Sequence, residues 1–163
     1  MHLDGSCHCR AVRFSLESRD PVPYQLCYCS ICRKTQGGGG YAINLAGDAT
    51  TLQVEGRSHT RSYHAILRED GEPDQHSEAE RVFCGLCGSA LWLFDKHWPE
   101  LIHPFASAID TDLPTAPEHT HLMLGSKANW VEPSIRAKDK SFDEYPEESI
   151  AEWHQRLGLE SKE

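Results

Sequence analysis

A mainly β protein with one short carboxy-terminal helix is what this chain predicts. Three observations carry that expectation. Apolar residues fall in short segments, several with a two-residue period, and Gly, Pro, Asp and Thr separate them. The seven cysteines fall in close groups rather than singly. Helical spacing with start and stop signals occurs once, near the end of the chain.

Taken in order, CRAVRFSLE (residues 9–17) sets Val12, Phe14 and Leu16 on one side of an extended strand. YQLCYCS, YAINLAG and TLQVEG are further short β candidates. Residues 68–80, REDGEPDQHSEAE, are polar and charged and predict an exposed loop. RVFCGLCGSALWLF predicts strand, tight turn, strand, and LIHPFAS and HTHLMLGS are short segments without helical spacing. The helix is expected near 146–157. Pro146 suits its first position, Glu147 and Glu148 its positive end, and Gly158 its stop. Ile150, Trp153 and Leu157 would share the face that docks. The helix is therefore expected to be a carboxy-terminal appendage that docks by its Trp153 face.

The 163 residues include 16 Lys and Arg against 25 Asp and Glu, a formal net charge of −9. Such a balance repels phosphate backbones and anionic lipid, so neither nucleic acid nor membrane is an expected partner. No run reaches the roughly 18 to 20 apolar residues that span a bilayer, and the start lacks a secretory signal pattern. A soluble, cytoplasmic protein is expected.

An odd number of cysteines in a reducing compartment argues against a disulfide framework. Their grouping as Cys7-x-Cys9, Cys27-x-Cys29-x-x-Cys32 and Cys84-x-x-Cys87 points to metal instead. Thiolate is a soft ligand that favours zinc, and structural zinc sites close with four protein ligands. Cys84 and Cys87 have knuckle spacing, with Gly85 and Gly88 relieving the backbone around them. Cys7 and Cys9, two apart on an extended chain, point to one side. Joining these pairs would clip the amino-terminal strand to a hairpin about 75 residues later. Spacing alone leaves open which pair joins which.

Three thiols then remain in one local group. Three protein ligands with an exchangeable fourth is the arrangement of catalytic zinc. The alternatives are a histidine in the fourth corner, an iron–sulfur cluster, which generally uses four cysteines, and a redox dithiol. Buried, inert cysteine is the bland reading of each pair.

GSCHCRAVRF, CYCSICRK, GGGGYAINL, RVFCGLCGSALW and HLMLGSKANWVE occur here in that order. Together they resemble the glutathione-dependent formaldehyde-activating enzymes, a family that also includes centromere protein V. The likeness runs over roughly residues 3–135, and it implies that residues 1–135 form a zinc-binding β domain of the formaldehyde-activating type and 136–163 a carboxy-terminal extension. It implies an Mss4-like fold of small coiled β-sheets held by zinc, with two zinc ions per chain. It places the structural zinc on Cys7, Cys9, Cys84 and Cys87, and the open, catalytic-type zinc on Cys27, Cys29 and Cys32. It implies carbon–sulfur lyase chemistry, run as synthesis of S-(hydroxymethyl)glutathione from glutathione and formaldehyde. Arg10 stands where the family commonly has Gly, and Tyr28 where it often has His.

Around the open group, Arg33 and Lys34 are candidates for an anionic thiol such as glutathione. Gly38 and Gly39, within the run Gly37 to Gly40, let backbone amides approach a ligand. Asn44 is a further candidate. The bland readings are solvated cations, a flexible loop and a turn cap. His119-x-His121 could face one side of a strand but reads as ordinary surface, and Trp130 is expected to help cover a sheet. A non-catalytic, zinc-stabilised glutathione- or protein-binding module is the alternative function.

Overall fold

The computed structural model describes residues 1–36, 38–68 and 71–159. In chain order its elements are β1 (His2–Ser6), β2 (Arg13–Glu17), β3 (Tyr24–Cys27), α1 (Ser30–Gln36), β4 (Ala42–Asn44), β5 (Gly47–Asp48), β6 (Gln53–Glu55), β7 (Thr60–Leu67), β8 (Gln75–Cys84), β9 (Ala90–Phe94), β10 (Leu101–Pro104), β11 (His119–Leu122), β12 (Lys140–Ser141) and α2 (Ile150–Leu157). The fold is mainly β, in three small sheets, with a short carboxy-terminal helix, as expected. Two compact units divide it.

The first unit combines Met1–Asp20 with Leu45–Leu113. Its three-stranded sheet has the order β1-β2-β6, and its five-stranded sheet the order β5-β10-β9-β8-β7. The alternation read over Val12, Phe14 and Leu16 is realised: all three are buried, and Leu3 on β1 lies opposite Leu16. Phe14 meets Trp92 of β9 edge-on at 5.1 Å, a geometry the ring quadrupoles favour. Leu91, Ile102, Val82, Cys7 and Cys84 complete this core. Gly5 is required where it stands, because a Cβ there would lie 2.3 Å from the Phe14 ring and 2.6 Å from the Ala108 carbonyl oxygen.

The expected loop over 68–80 is corrected from Gln75 onward. Residues 75–80 belong to β8, which pairs antiparallel with β7 as far as Leu67↔Gln75. None of these six residues is buried. A strand with both faces in solvent carries no apolar alternation, so its sequence looks like a loop. Glu69 and Asp70 lie outside the described residues.

The second unit combines Pro21–Asn44 with the chain from Pro114 onward. Its sheet has the order β12-β11-β3-β4. β3 runs parallel to β11, with Leu122 opposite Cys27, and antiparallel to β4, with Ala42 opposite Cys27. The helix starts later than Pro146 predicts. Ser149 is its N-cap in a reciprocal capping box with Glu152, and Gly158 closes it in the left-handed region at φ 64°. Trp153 docks as expected, buried with Val22 and Ala116. Its indole N–H donates to Glu118 Oε1 at 2.8 Å. Arg156 clamps Glu118 and Glu148 together. Trp130 does not cover the sheet. It is 60% exposed, and the next residue, Val131, packs on Leu26 and Tyr28 instead.

Candidate metal centres

The first centre is built at two tight turns of the first unit. Cys7 follows β1, and the chain reverses at once. The Arg10 amide donates to the Cys7 carbonyl at 2.9 Å, and the Cys7 amide to the Val12 carbonyl at 3.0 Å. The Val12 amide also reaches Cys7 Sγ at 3.3 Å, placing a backbone dipole on the sulfur. Cys84 ends β8, and Gly88, in the left-handed region at φ 77°, folds back so that its amide donates to the Cys84 carbonyl at 2.8 Å. These turns bring Cys7 Sγ within 3.5 Å of Cys9 Sγ, and Cys9 Sγ within 3.8 Å of Cys84 Sγ. All four sulfurs, Cys87 included, lie within 4.8 Å of one another. The Ser89 hydroxyl holds the Cys87 thiol down at about 5, toward the thiolate a metal needs. Four thiols at these separations fit a closed tetrahedral ion such as zinc.

The second centre is built on the second unit's central strand. Cys27 is the last residue of β3, held between β4 and β11. Cys29 directly precedes α1, and its sulfur accepts the Cys32 amide at 3.3 Å, the place an N-cap side chain takes. Cys32 lies in the helix. No sequence signal marks α1, which is short and lies between a cysteine group and glycines. Cys27, Cys32, Ala42 and Leu122 are buried together, with Cys29 and Met123 packed on them. The three sulfurs lie within 4.8 Å of one another, and no histidine or carboxylate among the described residues joins the group. Hydrogen bonds from Cys27 and Cys32 pull the Cys29 thiol down to about 2, while contact with Cys29 and Cys32 pushes Cys27 far up. Thiols this close cannot all ionise unaided, and a divalent cation is the partner that lets them. The soft, three-thiol donor set fits zinc with one position left for an exchangeable ligand.

Three buried polar atoms of the same unit have no hydrogen-bond partner among the described residues: Arg33 Nε, Gln36 Nε2 and Asn44 Oδ1. Arg33 follows Cys32 in α1, and Gln36 lies one turn further on. Asn44 is two residues from Ala42, so it shares the strand face that packs on Cys27 and Cys32. Arg33 and Asn44 were candidates from the sequence. Gln36 was not, because nothing in a sequence marks a glutamine as buried. Lys34 is exposed on α1. Gly38 adopts φ 79° with open space beside it, and Gly39 lies against the Tyr41 ring. Gly37 lies outside the described residues.

The model of a family described as glutathione-dependent formaldehyde-activating enzyme matches residues 2–125. The chain belongs to this family. A Halomonas elongata protein whose name provisionally makes it a glutathione-dependent formaldehyde-activating enzyme is 62% identical over 160 residues, covering 98% of this chain and 99% of its own length. A crystal structure of a Rhodobacter sphaeroides protein has the related fold, with a TM-score of 0.50 at 24% identity over 70% of this chain and 92% of that one.

Both departures of this family member now have a structural account. Arg10, at the position where Gly is common, adopts φ 61°, the left-handed conformation that Gly tolerates freely. Tyr28 is turned inward and buried, and its hydroxyl lies 2.9 Å from His121 Nδ1. His121, expected at the surface, is 1% exposed. Its Nε2 lies 3.3 Å from Asp139 Oδ2, and His119 Nδ1 lies 3.9 Å from the same oxygen. Two imidazoles and a carboxylate so placed resemble a metal site. However, Arg136 grips Asp139 through Nε at 3.0 Å, Nη2 at 2.9 Å and its own amide at 2.9 Å. The guanidinium is already the cation at that carboxylate, and a divalent ion beside it would be repelled. This is a hydrogen-bond network.

Proposed function

We propose that this chain is a zinc-dependent, carbon–sulfur lyase-type enzyme that joins glutathione, or a similar thiol, to formaldehyde or another small aldehyde. The observation that carries this reading is the group of exactly three mutually close thiols at Cys27, Cys29 and Cys32, in a member of the formaldehyde-activating family. Cys7, Cys9, Cys84 and Cys87 would hold a second, structural zinc.

Zinc on the three thiols supplies a soft Lewis acid that favours the thiolate form of a substrate sulfur. The chain's own part is placement. Arg33 Nε and Gln36 Nε2 offer buried, unpartnered N–H donors of the kind a peptide carboxylate or carbonyl satisfies. Asn44 Oδ1 offers an acceptor for an amide or ammonium N–H. The substrate sulfur adds to the aldehyde carbon, forming a C–S bond. The carbonyl π pair moves to oxygen, which takes up one proton for the one the thiol released. Holding sulfur and carbon in register lowers the barrier chiefly through proximity.

The test is exchange NMR on glutathione and formaldehyde at matched pH. The zinc-loaded protein is expected to speed interconversion with S-(hydroxymethyl)glutathione above the spontaneous rate. Cys32→Ser should return it to that rate while metal content falls from two equivalents to one. No acceleration at stoichiometric protein would remove the assignment.

A further inference from the structure

The Tyr28–His121–Asp139–Arg136 chain, which reaches solvent only at Arg136, has no part in the chemistry just described, yet it begins between two of the thiols. Tyr28 separates Cys27 from Cys29, and its side chain leaves the sulfurs for the opposite side of the strand. There it packs with Leu26 and Val131 and lies 5.2 Å from the Tyr41 ring. Its amide donates to the Leu122 carbonyl at 3.0 Å. Its hydroxyl contacts a histidine 93 positions away.

Each member of the chain fixes the next. Burial opposes ionisation of Asp139, but Arg136 and the amides of His119 and Arg136 hold its carboxyl well below the usual range. An ionised carboxylate only accepts, so the His121 ring proton in this contact sits on Nε2. Nδ1 is then left to accept the Tyr28 hydroxyl. A phenol keeps its proton at neutral pH, so the hydroxyl is the donor in that contact. Asp139 is anchored by five donors within 3.3 Å, from Arg136, His119 and His121. The backbone between Cys27 and Cys29 is therefore held at both ends: by the sheet at Cys27, and by a directional contact at the Tyr28 hydroxyl.

We infer that Tyr28, His121 and Asp139 are positioning residues for the open metal centre, setting the turn that points Cys27 and Cys29 at one ion. This rests on the proposed metal at Cys27, Cys29 and Cys32. Three ligands hold an ion less securely than four, so the pre-set turn matters more here than at the closed centre. Where a supporting contact orients metal ligands, its loss weakens binding about 10- to 100-fold.

Tyr28→Phe removes one hydroxyl and keeps the ring. Cobalt is the probe, titrated into metal-free protein in competition with a chelating dye, with the sulfur-to-cobalt absorption band read for each equivalent. The second equivalent is expected to weaken about tenfold or more with its visible bands altered, while the first equivalent stays put. His121→Ala should act alike, and His121→Gln should restore part of the affinity, since its amide can both accept from Tyr28 and donate to Asp139. An unmoved second equivalent in both Tyr28→Phe and His121→Ala would overturn the inference alone. Equal weakening of both equivalents would also overturn it, by making the network a general packing feature. A wild-type chain that takes up one equivalent would remove the metal reading, and this inference with it.

Discussion

Single residues mark where the chain has no freedom. Gly40 is buried at φ 90°, and a Cβ there would lie 2.2 Å from Val131 Cγ2. Strain and overlap act together, so Gly40→Ala is expected to cost about 2–4 kcal/mol. Urea unfolding of zinc-loaded protein measures it, and a loss below about 0.5 kcal/mol would mean that Val131 yields freely. The same substitution at Gly38, which faces open space, meets backbone strain alone. Within the run, Gly40 is thus a packing position and Gly38 an open one, a distinction that identical letters cannot carry. The cysteines were legible because their spacing within each group is local. His121 was not. Its burial depends on Tyr28 and Asp139, which reach it from 93 positions before and 18 after.

Elements were legible in proportion to how one-sided their burial is. β2 buries one face, and its alternation shows; residues 75–80 of β8 bury neither, and theirs does not. α1 is seven residues long with Cys32 as its only buried side chain, too little apolar surface to declare a helical period. α2 declares itself through Trp153, but its start is set by the Ser149 capping box rather than by Pro146. The docking of α2 carries a pH dependence. Hydrogen bonds from Arg156, then from the Trp153 indole, hold Glu118 below its ordinary 4.5 against the opposing effect of burial. A depressed carboxylate contributes stability above its unfolded value and loses it as pH falls through the folded one. Glu118→Gln is therefore expected to melt below wild type at neutral pH, with the gap narrowing as pH drops below 4.5. Thermal melts from pH 7 to pH 3 check this. A gap that stays constant with pH would show that the carboxylate's charge contributes nothing.

For the whole chain, the two thiol groups should differ in what their metal holds together. The four-thiol group joins Cys9 to Cys84 across 75 positions, and Cys7 and Cys84 sit inside the same core as Phe14, Leu91 and Trp92. An ion held there would close a long loop and order buried sulfur, so its binding free energy would be part of folding. The three-thiol group lies within six positions, on β3 and α1, which the sheet and the helix already order. An ion held there would close almost no loop and would have one ligand fewer. Graded chelation of the zinc-loaded protein is therefore expected to proceed in two stages. The first equivalent leaves from Cys27, Cys29 and Cys32, with the Trp92 and Trp153 indole signals unchanged in NMR. The second leaves only under strong chelation, and the Trp92 signal then moves to its unfolded position. Trp153 reports the second unit separately, because it is buried against Val22 and Ala116 of that unit. Loss of the Trp92 signal with the first equivalent, or its survival after both are gone, would contradict this division between an ion that folds the chain and an ion that the folded chain holds.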